Sequence, residues 1–502
     1  MIGAFKTFID RTTMYRLVLY YLLALLFAAI LLGALGVLPY APLILLYATG
    51  VLLAAAWISN EILARFFGAA TNAESAVITA LILALILPPL AVTGAGGVAA
   101  FTAIATIAMA SKYLLSIEKK HIFNPAAFAV VFSAFALGIP ATWWIGGNSV
   151  LLALVILGGM LVVYKLRRFD LVLAFSAAAL GTVALTSPDP LVAIQGTLLH
   201  SAFFFLAFVM LTEPLTMPPT RRFRIVYGAL VGILFAPAAH VGSFYFSPEL
   251  GLLVGNAFSY IVSPKRRYTL ALIERHKLAR GIYEFVFRPD RRLNFAPGQY
   301  MEWTLAKVPF DSRGNRRYFT IASSPHEENV RLGVRFYEAP SAFKRALAAL
   351  PREGVAYAAS LAGEFTLPRN KKKKLAFIAG GVGITPFASM ARHLISSGES
   401  RDAVLLYASR TAPEVAYQDV FARAAREGLR TVYALTAETP LLPGAHAGAI
   451  DAALIKREIP DFHERLFYIS GPPGMVSGMK RVLLTLGVSR LSIKTDYFPG
   501  LA

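Results

Sequence analysis

At Pro264-Lys265 the hydrophobic pattern of this 502-residue chain changes its period. Before that point long apolar runs recur between short polar connections; after it come short alternating segments punctuated by Gly and Pro. A chain with that break has to bury its halves differently, the first as apolar helices in a bilayer and the second as a water-facing body of strands and helices. Charge divides at the same place. Residues up to 263 carry 13 Lys and Arg against 8 Asp and Glu, and the remainder carry 36 against 21, so +15 of the net +20 lies in the second half. Such an excess beside a bilayer suits anionic lipid head groups and phosphate-bearing ligands. No aromatic-and-basic recognition module accompanies it, so nucleic acid is not an expected partner.

The sequence contains no cysteine. Disulfides, CxxC redox sites and thiolate-held iron–sulfur clusters are therefore excluded within it. Up to residue 263 the only histidines are His121, His200 and His240, with no two repeated at helical spacing on facing runs, so a stacked pair of bis-histidine haems is not expected. No metal site is expected either, which leaves an organic electron carrier.

Ten apolar runs are long enough to read as crossings: 14–36, 41–64, 74–93, 97–117, 124–140, 148–165, 169–187, 193–212, 225–243 and 249–263. Positive residues collect on alternate connections. Lys6, Arg11 and Arg16 precede the first run, Arg65 follows the second, Lys112, Lys119 and Lys120 the fourth, Lys165, Arg167 and Arg168 the sixth, and Arg221, Arg222 and Arg224 the eighth. That ledger predicts an integral membrane protein of the inner or plasma membrane with both termini, and the second half after Lys265-Arg266-Arg267, in the cytoplasm. The length of the first run argues against a cleaved signal peptide.

Three segments break the apolar monotony: Asn72-Ala73-Glu74-Ser75, His121-Ile122-Phe123-Asn124-Pro125 and Leu211-Thr212-Glu213-Pro214-Leu215-Thr216. Each reads equally well as a helix cap, with Asn72 or Asn124 before an apolar run and Pro125 in a first turn, or as a functional site. In order, AESAVITALILALILPP, HIFNPAAFAVVF and MLTEPLTMPPTRR resemble the RnfD/NqrB family, the flavin-carrying membrane proteins of the Rnf complex and of the sodium-pumping NADH:quinone reductase. That resemblance implies a flavin-carrying membrane domain over residues 1–263 that relays electrons, with Glu74, Asn124, Thr212, Glu213 and Thr216 as candidates around a non-covalent flavin (FMN or riboflavin) or a quinone. Where the family holds FMN through the threonine of a Ser-Gly-Ala-Thr segment, this chain reads Gly138-Ile139-Pro140-Ala141-Thr142-Trp143-Trp144. Thr142 lacks the preceding Ser-Gly, so covalent FMN is not expected. Trp143 and Trp144 read as interfacial anchors on the outer side.

Beyond the break, alternation predicts strands at 268–275, 282–288, 300–305 and 330–337, a small antiparallel barrel over 265–369. An α/β domain over 370–502 follows, with strands at 375–379, 404–407, 429–435 and 466–469 and a helix from about 387 to 396. Arg317-Tyr318-Phe319-Thr320 puts a cation, an aromatic ring and a hydroxyl on one strand, which is what a flavin needs for its pyrophosphate, its ring and its N5. Ser341 and Lys344 open a short helix suited to the same pyrophosphate. Gly380-Gly381-Val382-Gly383-Ile384-Thr385-Pro386 runs from a strand into a helix, a glycine-rich turn at a helix N-terminus. Lys371–Lys374 reads as a solvated interdomain loop, or as a lipid-facing patch.

With Ser470-Gly471-Pro472-Pro473-Gly474-Met475 and the closing Tyr497-Phe498-Pro499-Gly500, this ordered set resembles the ferredoxin-NADP reductase superfamily over residues 268–502. The resemblance implies FAD held by Arg317, Phe319, Thr320, Ser341 and Lys344, and a nicotinamide nucleotide held by Gly381, Gly383, Thr385, Pro386, Ser409, Arg410, Gly471, Pro472 and Met475. Thr320 and Phe498 are the candidate catalytic residues. Phe319 stands where tyrosine is commoner, and Ser470 where a cysteine is often found. After the third strand Thr436-Ala437-Glu438 offers no cation for a 2′-phosphate, favouring NADH, while Arg410 keeps NADPH in play. The expected function is oxidation of NADH through FAD to a flavin or quinone in the membrane half. Electron transfer to an outer acceptor, redox-driven ion transport and a purely anchoring membrane half are the alternatives.

Overall fold

The computed structural model describes residues 12–67, 73–117, 120–263, 267–305, 308, 316–338, 340–437, 442 and 444–496. Lys6, Arg11, Asn72, Lys119, Pro264-Lys265-Arg266, Glu438 and the candidate catalytic Phe498 lie outside the described residues. The chain separates into two compact units, Met1–Lys265 and Arg266–Ala502.

The first unit is helical: Met14–Ala34 (α1), Pro42–Phe66 (α2), Ala73–Ile86 (α3), Gly94–Leu114 (α4), Pro125–Ala136 (α5), Leu152–Leu166 (α6), Phe169–Thr186 (α7), Pro190–His200 (α8), Phe203–Phe205 (α9) continuing as a π-turn through Met210, Arg221–Phe235 (α10) and Pro248–Val262 (α11). Among the described residues only α1, α2, α4 and α7 are long and apolar enough to cross a hydrocarbon layer. The pair α8 and α9, bent by 64°, makes a fifth if it counts as one span. The expectation of ten crossings is thus corrected to four or five. The apolar runs are helical, but several are inner helices: α3, with 14 residues, spans about 21 Å against the ~30 Å of a hydrocarbon core. Pro88 and Pro89 stop it, and residues 80–87 are all buried. An apolar run packed against protein reads the same as one facing lipid, so composition cannot separate them. The long helices do present apolar side chains outward, among them Phe27, Leu43, Ile62 and Leu173.

Because α3 ends inside the unit, its last carbonyls need donors. The N–H groups of Thr142 and Trp143 both donate to Ile86 O, at 2.9 and 3.0 Å, and Trp144 Nε1 donates to Ala84 O at 3.1 Å. Trp143 Nε1 donates to Glu249 Oε2 at 3.2 Å, beside a carboxylate that is itself buried. Both tryptophans are therefore buried caps of an internal helix, which corrects their reading as interfacial anchors. Elsewhere α10 lies on α7 through Gly228 and Gly232, where a Cβ would stand 2.6 Å from Leu171 O and 2.5 Å from Phe175 O. Arg224 seals that pair by donating to Asp170 at 2.9 and 3.1 Å.

In the second unit, Tyr268–Ala279 (β1), Ile282–Pro289 (β2), Tyr300–Leu305 (β3), Arg316–Thr320 (β4), Val330–Arg335 (β5) and Val355–Ala362 (β6) form an antiparallel sheet in the order β4-β3-β6-β1-β2-β5. The N–H of Ala322, just past β4, donates to Arg331 O of β5 at 2.8 Å, so the two edges meet and the sheet curls into a barrel. Ala342–Ala348 (α12) lies between β5 and β6. Leu375–Gly380 (β7), Ala403–Ser409 (β8), Leu429–Leu435 (β9), His446–Ala447 (β10), Leu466–Ser470 (β11) and Ile493–Asp496 (β12) form a parallel sheet in the order β10-β9-β8-β7-β11-β12. Every residue of β7 is buried, as in a central strand covered on both faces. Thr385–Ser397 (α13) follows β7, and Pro473–Thr485 (α16) follows β11, after Gln418–Ala424 (α14) and Ala452–Glu458 (α15).

Gly232→Leu should force α10 from α7, since the obstructing atom is backbone and cannot swing aside. We expect a loss of about 1–3 kcal/mol, read as a lower unfolding temperature in detergent; an unchanged transition would contradict the packing described.

Candidate functional site

In the barrel, β4 pairs with β3 in the register Thr320↔Tyr300, Phe319↔Met301 and Arg317↔Trp303. Phe319 and Phe343 of α12 stand 5.8 Å apart, and Arg317 Cζ lies 5.5 Å over the Phe343 ring. Phe343 thus joins the strand motif to the helix carrying Lys344, whose Nζ lies 5.0 Å over Tyr337. The Ser341 hydroxyl accepts the Lys344 N–H at 3.4 Å as the helix N-cap, so one of its lone pairs is already used. Thr320 Oγ1 is buried and meets no hydrogen-bond partner among the described residues. A buried hydroxyl without a partner costs about 1–3 kcal/mol, and on a strand beside an aromatic ring and a guanidinium it fits a flavin that would supply one.

The sequence-predicted nucleotide residues also converge. Gly381 adopts φ +52° directly after β7. A Cβ on Gly383 would stand 2.5 Å from Ser470 O and 2.6 Å from Gly471 Cα, and one on Gly380 would collide with Met475 Sδ and come within 3.2 Å of Pro472. The turn at the end of β7 and the turn at the end of β11 therefore touch, with Thr385 and Pro386 opening α13 between them. The Thr385 hydroxyl donates to Val382 O at 3.2 Å, inside the turn. Ser409 ends β8 with its Oγ buried and unpartnered among the described residues. Ser409 O and Arg410 O accept from Thr436 and Ala437 N–H at 3.0 and 2.9 Å. A crevice at the carboxyl ends of parallel strands, beside a helix N-terminus, is where such sheets bind nucleotides.

Sequence reasoning missed Arg335. Its Nη1 lies 3.2 Å from where a Cβ on Gly381 would stand, and its Nη2 is held by Glu414 at 2.6 Å. Nothing in the alternation of β5 distinguishes this arginine from Arg331; only the fold brings it to the turn. Of the Lys371–Lys374 run, Lys371 pairs with Glu399 and Lys374 with Asp461 and Glu464, at 2.7, 2.9 and 2.7 Å, which fits the reading as an interdomain loop.

In the first unit, Asn124 caps α5 by accepting the Ala127 N–H at 3.0 Å, as the capping reading expects, and its Nδ2 also donates to Glu213 Oε2 at 2.9 Å. Glu213 also meets His121 Nε2 at 3.3 Å and the Thr216 hydroxyl at 3.1 Å. Asn256 Oδ1 accepts the Asn124 N–H at 2.9 Å, and Asn256 Nδ2 donates to the Tyr227 hydroxyl at 3.0 Å. Beside this network lies a cavity of about 610 Å³, its open mouth included, with Asn124, Thr212, Glu213, Ser75 and Thr79 among apolar residues such as Val18 and Leu166. Lys112 Nζ donates to Thr79 Oγ1 and Ser75 Oγ behind that wall, at 3.0 and 3.2 Å. Glu74 stands apart from the Glu213 cluster, at 3.7 Å from Arg16. Among the described residues no group of three or more metal-ligating side chains occurs.

Thr320→Val keeps the β-branched shape and removes the hydroxyl. FAD affinity of flavin-free protein, measured by titration calorimetry, should weaken about fivefold; an unchanged affinity would remove Thr320 from the flavin site. His393 of α13 stacks on His326 at 5.3 Å and 6°. Burial, with the neighbouring His326, holds its imidazole below the ordinary 6.5, against the opposing field of Glu399. The folded state thus prefers the neutral ring, so stability is full above pH 6.5 and falls as pH drops toward the lowered folded value. His393→Gln should flatten that acid limb in unfolding curves; an unaltered limb would contradict it.

A family model, the oxidoreductase NAD-binding domain, matches residues 377–481. A flavohemoprotein of Oceanobacillus iheyensis is 24% identical over 237 residues, covering 45% of this chain and 58% of that protein. The reductase component of propane 2-monooxygenase from Rhodococcus jostii is 26% identical over 216 residues, 41% of this chain and 55% of that protein. The chain thus spans less than two thirds of the length of these relatives. Among solved structures, the flavohaem-like FAD/NAD-binding domain of nitric oxide dioxygenase from Vibrio cholerae is 20% identical with a TM-score of 0.42, covering 46% of this chain and 98% of that one. Residues 377–481 of the second unit thus match an oxidoreductase NAD-binding domain, and part of the chain is similar to flavohemoprotein and monooxygenase-reductase sequences.

Proposed function

We propose that this chain is an integral membrane NADH:acceptor oxidoreductase, in which NADH oxidised at the second unit yields electrons to a quinone, or to a flavin, held in the first. The net reaction with a quinone is NADH, a proton and quinone giving NAD⁺ and quinol. Bound FAD would supply the step between two-electron and one-electron chemistry. The chain's own residues would hold it: Arg317 and Lys344 would supply cations for the pyrophosphate, Phe319 an aromatic surface for the ring and Thr320 a hydroxyl for a ring nitrogen. The sequence Thr436-Ala437-Glu438 carries no cation of its own and an acidic residue that would repel a 2′-phosphate, which supports NADH, while Arg410, whose carbonyl accepts the Ala437 N–H, keeps NADPH as the alternative. The run Lys265-Arg266-Arg267 after the last apolar segment supports a cytoplasmic second unit.

The observation that carries this reading is the first-unit cavity. Small-molecule sites combine apolar walls with a few convergent polar groups, and the wall of this cavity sets Asn124, Thr212 and Glu213 among apolar side chains. The resemblance of the first unit to electron-relaying membrane proteins points the same way. A second reading, redox-driven ion transport, is supported by the hydrogen-bonded chain from Tyr227 through Asn256, Asn124 and Glu213 to His121. Buried polar chains of that kind in membrane helices mark ion paths.

Full-length protein reduced anaerobically with NADH should show its FAD reoxidised on adding a soluble quinone analogue; reduced FAD that persists with every quinone tried would sink the quinone reading. In sealed proteoliposomes NADH oxidation should build a pH or sodium gradient if ions move, and turnover with no gradient dismisses the second reading.

A further inference from the structure

Helix α13 is held at two places. Its first residues, Thr385 and Pro386, complete the glycine-rich turn, while Ser389, Arg392, His393 and Ser396 recur at helical spacing and share one face. That face lies along residues 322–326, the segment that leaves the flavin strand β4. Ser389 Oγ donates to Ser323 O at 2.7 Å, Arg392 Nη1 donates to Ala322 O at 3.2 Å, His393 stacks on His326, and Ser396 Oγ lies 2.8 Å from Ser324 Oγ. Beneath it is Glu284 of β2, 2% exposed, which receives Arg392 at 3.0 and 3.4 Å and Arg331 at 2.9 Å. Arg331 in turn is the residue whose carbonyl accepts the Ala322 N–H.

A buried carboxylate between two guanidinium groups is not explained by stability alone, because an apolar replacement of similar volume often stabilises as well or better, whereas the ionic arrangement fixes geometry. The geometry fixed here is between the two candidate ligand sites. Two residues separate Thr320 from Ser323, and three separate Thr385 from Ser389, so the tether between the sites is short and stiff.

We infer that Arg392 and Glu284, with Ser389, are positioning residues that set the spacing between the flavin-binding strand and the nucleotide-binding turn, and so govern hydride transfer without touching either ligand. This rests on the assignment of those two segments to FAD and the nicotinamide nucleotide. A spacing set to within a fraction of an ångström matters because reacting atoms must be held in near-attack geometry, and a small misplacement costs about tenfold or more in rate.

The test uses the full-length holoprotein with Arg392→Met, Arg392→Lys, Glu284→Gln and Ser389→Ala. Each variant is examined for bound FAD, NADH affinity, the rate of flavin reduction in a single anaerobic turnover, and the long-wavelength charge-transfer absorbance of the reduced flavin with NAD⁺. For Arg392→Met and Glu284→Gln we expect FAD content and NADH affinity to hold within about twofold while reduction slows about tenfold and the charge-transfer band weakens. Arg392→Lys should recover part of both. In flavin-free protein, hydrogen exchange over residues 322–326 should rise. If the variants lose only thermal stability, with reduction rate per bound flavin and charge-transfer band unchanged, the inference is overturned. Should Arg392→Met fail to fold, Ser389→Ala, which deletes one hydrogen bond, decides: a rate about threefold lower supports the inference, and an unchanged rate overturns it. Wild-type protein that binds no FAD overturns the underlying assignment and the inference together, and is told apart by the absent flavin spectrum.

Discussion

Inside a body that excludes water, a polar group keeps its place only by finding a partner, and both units of this chain are organised by that requirement. In the second unit Glu284 takes two arginines, Arg331 from the barrel and Arg392 from the helix that opens at the glycine-rich turn. In the first, α3 stops short inside the helical body, and the segment at Thr142–Trp144 comes in to satisfy its carbonyls. The Thr320 and Ser409 hydroxyls are exceptions: buried, on segments that converge on the candidate site, and without a partner among the described residues. Some other buried atoms without a partner among the described residues, Asn60 Nδ2 and Ser263 Oγ, belong to the first unit, so it is the position of Thr320 on the flavin strand and of Ser409 beside the glycine-rich turn that suits these two hydroxyls to a ligand.

Much of the second unit was legible because its signals are local. Alternation in Tyr268–Leu272 produces a strand with one face in the core, the run Leu375–Gly380 produces a strand buried on both faces, and the glycines of the turn are demanded by atoms of Ser470, Gly471 and Met475 that a side chain would strike. Arg335 was not legible, since its role depends on where β5 ends relative to Gly381, a fact of three dimensions. The clamp on α13 is similar: Arg392 and Glu284 are 108 residues apart, and nothing in either neighbourhood announces the other.

The first unit shows the limit of apolar periodicity. Its runs are helices, yet length and burial separate the four long ones from inner elements such as α3 and α5, and composition carries neither quantity. Trp143 and Trp144 were misread for the same reason, because an indole beside a hydrophobic run suits an interface as well as an internal cap. Of the polar segments, His121 and Asn124 meet the distant Glu213, which also takes the Thr216 hydroxyl of its own segment, and Thr212 lines the cavity beside them. Glu74 does not join them.

Whether electrons from NADH reach an acceptor in that cavity can be measured directly. Stopped-flow on the full chain in lipid nanodiscs containing a membrane quinone would follow flavin absorbance after a single equivalent of NADH, in wild type and in Glu213→Gln and Asn124→Ala. If the cavity holds the acceptor, absorbance bleaches at the same rate in all three and recovers quickly only in wild type. Recovery that is equally fast in the variants, or absent from the wild type, would contradict it.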